Sequence, residues 1–365
     1  MTDTLLPSAA PVAAGTALPA ADPGPIEEDL LCTAVLDVTH DVKTIVLQRD
    51  STPLAFLPGQ YLTVTVDVDG ERLSRCYSID APPTRPDRLS ITVKRVEGGP
   101  VSTHLHRRLG VGDRLRVSGP YGRFTFGDQP SGAYLFLTAG SGITPAMSMV
   151  RTLVDRPGTA DVVLVHNART PEDIIFRSEL AGIAQLPGFA VVPICEQGSA
   201  SESWTGQTGR LTLRALLRAA PDLHEREVFT CGPPAYMEAV RSLLELAAVD
   251  PGRCHEENFD LAARGADAAA DRPPAPGARR YAVQFRRSQR VVDCAADEPI
   301  LAAAHRAGVR LPSMCALGMC GTCLTGLVEG HVDMQHGGGI SRREVDEGKI
   351  LVCCSRPVSD VVLDA

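Results

Sequence analysis

Four cysteines near the end of the chain carry the sharpest chemical pattern. Cys315, Cys320 and Cys323 form a C-x4-C-x2-C run, and Cys353 follows at a distance. Thiolates at this spacing suit a plant-type [2Fe–2S] cluster, in which one loop wraps a small sulfide core and supplies three ligands. Gly318 and Gly321 lie inside that loop, where a missing Cβ lets the backbone approach and aim N–H groups at sulfur. A structural zinc site would favour two short Cys-x2-Cys pairs, and the run has one. A Rieske centre would need Cys-x-His pairs, which the sequence lacks. The chain has eleven cysteines in all. A secreted disulfide scaffold would be shorter and would spread them out, so metal ligation in a reducing, cytoplasmic compartment is expected.

A second group of residues suits a flavin. Arg75-Cys76-Tyr77-Ser78 ends a predicted strand. There a Tyr ring can stack on an isoalloxazine, Ser78 can hydrogen-bond near its reactive nitrogen, and Arg75 can neutralise a diphosphate. Thr92-Val93-Lys94-Arg95 follows, then the Gly-rich turn Gly98-Gly99-Pro100-Val101-Ser102. Singly these are ordinary strand ends and turns; their order, ahead of a nucleotide motif, gives them meaning. That motif is Ala139-Gly140-Ser141-Gly142-Ile143-Thr144-Pro145. Gly140 and Gly142 allow a tight turn close to a pyrophosphate, Thr144 offers a hydroxyl, and Pro145 suits the first helical position. Cys231-Gly232-Pro233 ends a later strand and puts a small thiol and a Gly at the edge where nucleotides bind.

The surrounding elements sort into a multi-domain chain. Residues 1–27 are expected to be a disordered tail: Met1 to Pro25 is rich in Ala and Pro and has no Lys or Arg, unlike a secretory signal. Residues 28–129 read as short strands at Thr44–Leu47, Tyr61–Val66, Leu89–Val93 and Leu115–Val117, punctuated by Gly and Pro turns. That texture predicts an antiparallel β-barrel. Residues 130–260 alternate strand and helix patterns, predicting a doubly wound α/β unit. Residues 261–280 are a low-complexity Ala/Pro/Gly/Arg linker. Residues 281–365 open on a hairpin, continue through a helix and the cysteine loop, and end on a strand near Asp360–Leu363. Apolar residues are 44%, charged residues 22% and the net charge is −8, which argues against nucleic acid as a partner. No apolar run reaches membrane-span length.

Taken in order, these residues resemble the ferredoxin–NADP reductase superfamily. The likeness rests on Pro58-Gly59-Gln60-Tyr61, Arg75-x-Tyr77-Ser78, Gly119-Pro120-x-Gly122, Gly140-x-Gly142-Ile143-Thr144-Pro145 and Cys231-Gly232-Pro233. The flavin–nucleotide–ferredoxin order is similar to reductase components of Rieske oxygenases, and closest to the glycine-betaine-type monooxygenase reductases. Asn167-Ala168-Arg169, Cys195-Glu196, His255-Glu256-Glu257-x-Phe259 and Ile350-Leu351-Val352-Cys353-Cys354-Ser355 carry that part. The resemblance implies FAD in the barrel, with FMN as the lesser alternative, bound by Arg75, Tyr77, Ser78 and the stretch from Thr92, Val93 and Lys94 through Gly99 to Ser102. It places a nicotinamide nucleotide at Gly140, Gly142, Thr144, Cys231, Gly232 and Pro233, with Ser78 and Cys231 shaping the hydride-transfer site. It implies a β-grasp ferredoxin domain with Cys353, rather than Cys354, as the fourth ligand.

The expected activity is NADH-dependent reduction, with single electrons passed to a terminal oxygenase, most naturally of the Rieske type. A cytochrome P450 or a hybrid-cluster protein as acceptor is the alternative, and a non-enzymatic Fe–S sensor is the reading from another class. NADH is preferred over NADPH because Pro193–Gly209 holds no Lys or Arg and Glu196 would repel a 2′-phosphate; Arg169 is the opposing candidate.

Overall fold

The computed structural model describes residues 26–126, 132–156, 158, 160–199, 201–257, 259, 274–275, 277–312, 318, 321, 323–336, 339–340 and 342–365. The expected tail up to residue 25, most of the expected linker, and both Cys315 and Cys320 lie outside the described residues.

Six strands make the first sheet: β1 (Ile26–Thr39), β2 (Val42–Gln48), β3 (Tyr61–Val68), β4 (Glu71–Ser78), β5 (Leu89–Lys94) and β6 (Arg114–Tyr121). Their order is β4-β3-β6-β1-β2-β5 and every pairing is antiparallel. Just past β4, Ile79 bridges Ile91 of β5, so edge meets edge and the sheet closes as a barrel. Leu62, Val64, Ile91 and Val93 fill its interior. The helix α1 (Pro100–Arg107) grows directly out of the Gly98-Gly99 turn and turns Val101 and Leu105 inward. It is too short for its two apolar positions to have shown a helical period.

The next unit alternates as its sequence predicts. It comprises β7 (Ala133–Ala139), α2 (Ile143–Asp155), β8 (Asp161–Ala168), α3 (Arg177–Ile183), β9 (Phe189–Cys195) and β10 (Gln207–Thr208). It continues with α4 (Leu213–Ala219), β11 (Glu227–Cys231), α5 (Pro234–Leu246) and β12 (Cys254–Glu257). The sheet order β10-β9-β8-β7-β11-β12 is parallel throughout. β7 is buried on both faces, as the centre of a parallel sheet must be. Strand order reverses between β7 and β11, which sets their carboxyl ends side by side at the topological switch point.

The last unit holds β13 (Arg280–Phe285), β14 (Arg290–Ala295), α6 (Ile300–Arg306), β15 (Leu324–Glu329), β16 (Val332–Met334), α7 (Arg342–Asp346), β17 (Lys349–Leu351), β18 (Ser355–Pro357) and β19 (Val361–Leu363). A five-stranded sheet runs β14-β13-β19-β15-β17, with β13 and β19 parallel, and α6 buries Ile300, Leu301 and Ala304 in the core beside it. This is the mixed sheet and helix of a β-grasp. No helix among the described residues is long and apolar enough to cross a membrane.

The barrel and the nucleotide unit are packed as one body. Val42 and Phe124 from the barrel side belong to the same buried cluster as Phe136, Met149 and Phe229. Phe124 meets Phe229 edge-on with 5.4 Å between centroids. Polar contacts fasten the same joint. Arg151 of α2, 6% exposed, donates to the Asp80 carbonyl at 2.7 Å and its carboxylate at 2.9 Å. Its other face grips Glu179 at 2.6 and 2.8 Å and lies over the Phe176 ring.

Candidate functional site

A cavity of about 390 Å³ opens where the barrel meets the nucleotide sheet. Arg75, Tyr77 and Ser78 at the end of β4 line it, with Thr92 and Lys94 of β5 and the turn Gly98–Ser102; Ser141, Thr144 and Phe259 come from the nucleotide side. Strand alternation explains which β5 residues face in. Thr92 and Lys94 share one face, and Val93 between them points into the barrel core with no exposed surface. Val93 was expected among the cofactor contacts; its side chain belongs to the core instead.

The wall residues divide into held and unheld groups. Lys94 is paired with Asp41 at 2.9 Å, and Thr92 donates to Asp80 at 2.6 Å. Ser102 Oγ accepts from the Val96 N–H at 3.1 Å and reaches back to the Gly99 carbonyl at 3.3 Å, so it shapes the turn. Ser78 Oγ is buried beside the Glu257 carboxyl without a well-formed hydrogen bond. The first-turn N–H groups of Val101 and Ser102 have no carbonyl four residues back, as at any helix start. Burial raises the Tyr77 phenol above its ordinary range, keeping it neutral. A buried hydroxyl, a flat aromatic ring, first-turn helix N–H groups and the Arg75 cation are the donor set that an isoalloxazine and its diphosphate need, so the cavity fits a flavin.

The nucleotide loop closes against the same cavity. Gly140 has φ +53°, with open space where a Cβ would stand. Gly142 is the opposite case: a Cβ there would lie 2.3 Å from the Cys231 carbonyl oxygen. Only glycine lets the loop after β7 lie on the Cys231-Gly232-Pro233 turn after β11. Thr144 donates to the Ser141 carbonyl at 3.0 Å. Pro145 is the third residue of α2, not the first as its sequence suggests; first-turn N–H groups have no partner to lose, so proline is tolerated.

Cys231 is fully buried, and burial together with nearby Glu257 pushes its thiol well above the usual value. It therefore stays protonated. In the β11–β12 ladder Cys231 pairs directly with Glu257. Burial pushes the Glu257 carboxyl up to about 8, with the Ser78 hydroxyl pulling the other way. Ser78 from the barrel and Cys231 from the sheet thus converge on one neutral carboxylic acid. Glu257 was not anticipated as a site residue. Its signal was present in the His255-Glu256-Glu257-x-Phe259 string, whose Phe259 also lines the cavity.

Just past the carboxyl end of β8, Arg169 is engaged by Asp173 at 3.6 Å and Asp41 at 3.7 Å. Arg210, one residue beyond the Lys/Arg-free stretch, stands 3.8 Å from Glu196. Both cations therefore face carboxylates.

In the last unit Cys323 and Cys353 are buried within hydrogen-bonding reach of each other, and Gly318 N–H donates to Cys353 Sγ at 3.3 Å. An N–H aimed at sulfur is what a thiolate ligand to iron requires, so these residues fit a cluster. Residues 352–354 form a turn, with Cys354 N–H bonded to the Leu351 carbonyl at 3.1 Å. Alternating strand faces therefore do not separate the two cysteines. The Gly318 N–H bond and the deeper burial distinguish Cys353, while Cys354 Sγ turns to the Leu351 carbonyl.

Barrel cavity, parallel sheet with a glycine turn at its switch point, and a two-glycine cysteine loop together define a flavin- and nucleotide-dependent iron–sulfur oxidoreductase. Family comparison agrees unit by unit: an oxidoreductase FAD-binding domain matches residues 30–126, an oxidoreductase NAD-binding domain 136–242, and a 2Fe-2S iron-sulfur cluster binding domain 283–358. A glycine betaine monooxygenase reductase subunit of Pseudomonas aeruginosa is 42% identical over 91% of this chain and 94% of its own. The stachydrine N-demethylase reductase subunit of Rhizobium meliloti is 38% identical over 93% and 96%. The crystal structure of phthalate dioxygenase reductase superposes with a TM-score of 0.54 at 26% identity, covering 93% of this chain and 98% of that one. The chain belongs to the ferredoxin–NADP reductase superfamily, in the branch that carries a C-terminal [2Fe–2S] ferredoxin domain and includes the glycine betaine monooxygenase reductases. It is an oxidoreductase with FAD in the barrel, a nicotinamide nucleotide at the parallel sheet and a [2Fe–2S] cluster in the last unit.

Proposed function

We propose that this chain is the reductase component of a multicomponent monooxygenase, taking hydride from NADH and passing single electrons to a Rieske-type terminal oxygenase. The cavity shared by the flavin and nucleotide units carries the reading, with Ser78 on its wall and the buried Cys231–Glu257 pair behind Ser78. Bound flavin supplies the conversion between a two-electron hydride donor and one-electron acceptors. Arg75 and the first turn of α1 hold the diphosphate, Tyr77 covers the ring, and Ser78 donates to it. Gly140, Gly142 and Thr144 seat the nucleotide, Gly232 and Pro233 keep the opposing turn close, and Glu257 keeps a proton where a charge would be costly. Cys315, Cys320, Cys323 and Cys353 hold the two irons. The partner is proposed by likeness to the glycine betaine and stachydrine enzymes. Nine thiols free of disulfides among the described residues suit a cytoplasmic setting.

The preference for NADH follows from Glu196, Asp41 and Asp173 occupying the cations that a 2′-phosphate would need. The test is anaerobic titration of the holoprotein with NADH and with NADPH in the presence of the Rieske oxygenase encoded nearest to this chain. Reduction of the oxygenase's iron–sulfur signal, with kcat/KM at least about tenfold higher for NADH, is expected. An NADPH advantage would sink the nucleotide assignment. Reduction of artificial acceptors without the oxygenase signal would sink the partner.

A further inference from the structure

Two glycines of the cysteine loop are covered by other parts of the chain. A Cβ on Gly321, which lies between Cys320 and Cys323, would come within 2.7 Å of Arg123 Cδ. Arg123 follows β6 on the barrel side, and its Nη1 donates to Glu344 Oε1 of α7 at 2.9 Å. Glu344 is 13% exposed and Arg123 49%. Nearby, α7 lies against Pro251–Arg253, the turn that leads into β12. On the other side of the loop, a Cβ on Gly318 would come within 3.0 Å of His336 Cα. His336 lies close enough to the Arg241–Glu256 pair of the nucleotide unit to feel both charges. Gly318 and Gly321 are thus set against His336 and against the barrel side.

We propose that Arg123 is a positioning residue for internal electron transfer: its ion pair with Glu344 and its packing on Gly321 set the pose in which the ferredoxin domain receives electrons from the flavin domain. The proposal rests on the electron route of the proposed function. In each transfer one electron leaves the reduced flavin for the oxidised cluster; two such transfers drain the pair delivered by one hydride. An ion pair with one half-exposed partner is weak and screened by salt. The pose is accordingly reversible, which frees the same face for an external acceptor.

The test uses the full-length holoprotein at low salt, with Arg123→Glu, Glu344→Arg and the double charge swap. After rapid anaerobic mixing with NADH, Arg123→Glu should slow the appearance of the reduced-cluster signal about tenfold, because like charges expel the docked pose. Flavin bleaching and ferricyanide reduction should match wild type, and the swap should recover most of the lost rate. Solution X-ray scattering reads the pose without any electron transfer: Arg123→Glu should be more expanded than wild type, and the swap compact again. Arg123→Gln keeps the stem on Gly321 and covers misfolding of the reversal variant; its cluster reduction should be slower and no longer respond to salt. Unchanged cluster kinetics in Arg123→Glu, or a swap that restores neither rate nor compactness, would overturn the proposal. If wild type bleaches its flavin but never reduces its cluster, the electron route itself fails, and the scattering still judges the docking.

Discussion

The chain has two internal joints, built from opposite materials. Between barrel and nucleotide unit, side chains from both sides share one buried cluster, and buried Arg151 ties buried Asp80 to the partly exposed Glu179. Between that body and the ferredoxin domain, the Arg123–Glu344 ion pair spans the joint, half open to solvent on the arginine side. The chemistry on each side explains the difference. Hydride transfer needs donor and acceptor atoms held in near-contact geometry, so the first joint must be rigid. A single electron needs only proximity, and the domain carrying it must also meet another protein. A stiff joint would defeat the second task, as a loose one would the first.

The most severe way to break the contrast is to unpair the buried joint. Arg151→Met leaves the Asp80 and Glu179 carboxylates facing an apolar side chain, with Asp80 nearly fully buried. Removing one partner of such a network costs about 3–5 kcal/mol. Denaturant unfolding should show that loss and little salt dependence, and a loss below about 1 kcal/mol would mean the joint is not held as described.

Next in size, ending the chain at Leu261 keeps Phe259 and removes the ferredoxin domain. The remaining flavoprotein should reduce ferricyanide with NADH as before, while cytochrome c reduction falls roughly tenfold because the one-electron exit is gone. Full retention of cytochrome c activity would show that electrons leave from the flavin unit itself.

The smallest effect probes the tight joint from within. Glu257 has its carboxyl near 8 against an ordinary 4.5. Between those values the native protein keeps a proton that the unfolded chain gives up. The group's contribution to stability therefore falls as pH rises through that window and levels off above it. Glu257→Gln stays neutral, so the drop in Tm between about pH 5.5 and about pH 8.5 should be smaller than in wild type. An identical slope would place the titration elsewhere.

How much of this could be read in the sequence varies along the chain. The parallel sheet announced itself because long apolar strands alternate with helices such as α5, whose Met237, Val240 and Leu244 recur at helical spacing. In the barrel, β1 went unseen: most of its fourteen residues are only partly buried, so no alternation stands out. The short strand β12 reads Cys-His-Glu-Glu and carries no apolar signal at all, which hid Glu257. Nothing in the sequence marks Arg151, whose burial comes from Asp80 of the barrel together with Glu179 and Phe176 of its own unit. The cysteine loop was legible by spacing alone, whereas the turn at residues 352–354 depends on how β17 and β18 are joined.

The short strand β12 also has a mechanical consequence. It is the last strand of the nucleotide unit, so a force transmitted along the chain from the ferredoxin domain reaches it before the rest of that sheet. Four residue pairs with β11 alone would hold it weakly. Three side-chain ties reinforce it: Arg253 and His255 both grip Glu227 of β11, at 3.1 and 2.9 Å, and Glu256 is clasped by Arg241 of α5 at 2.6 Å. A load on β12 is thereby shared across a strand and a helix, and Glu257 at the end of β12 is held in register with Cys231.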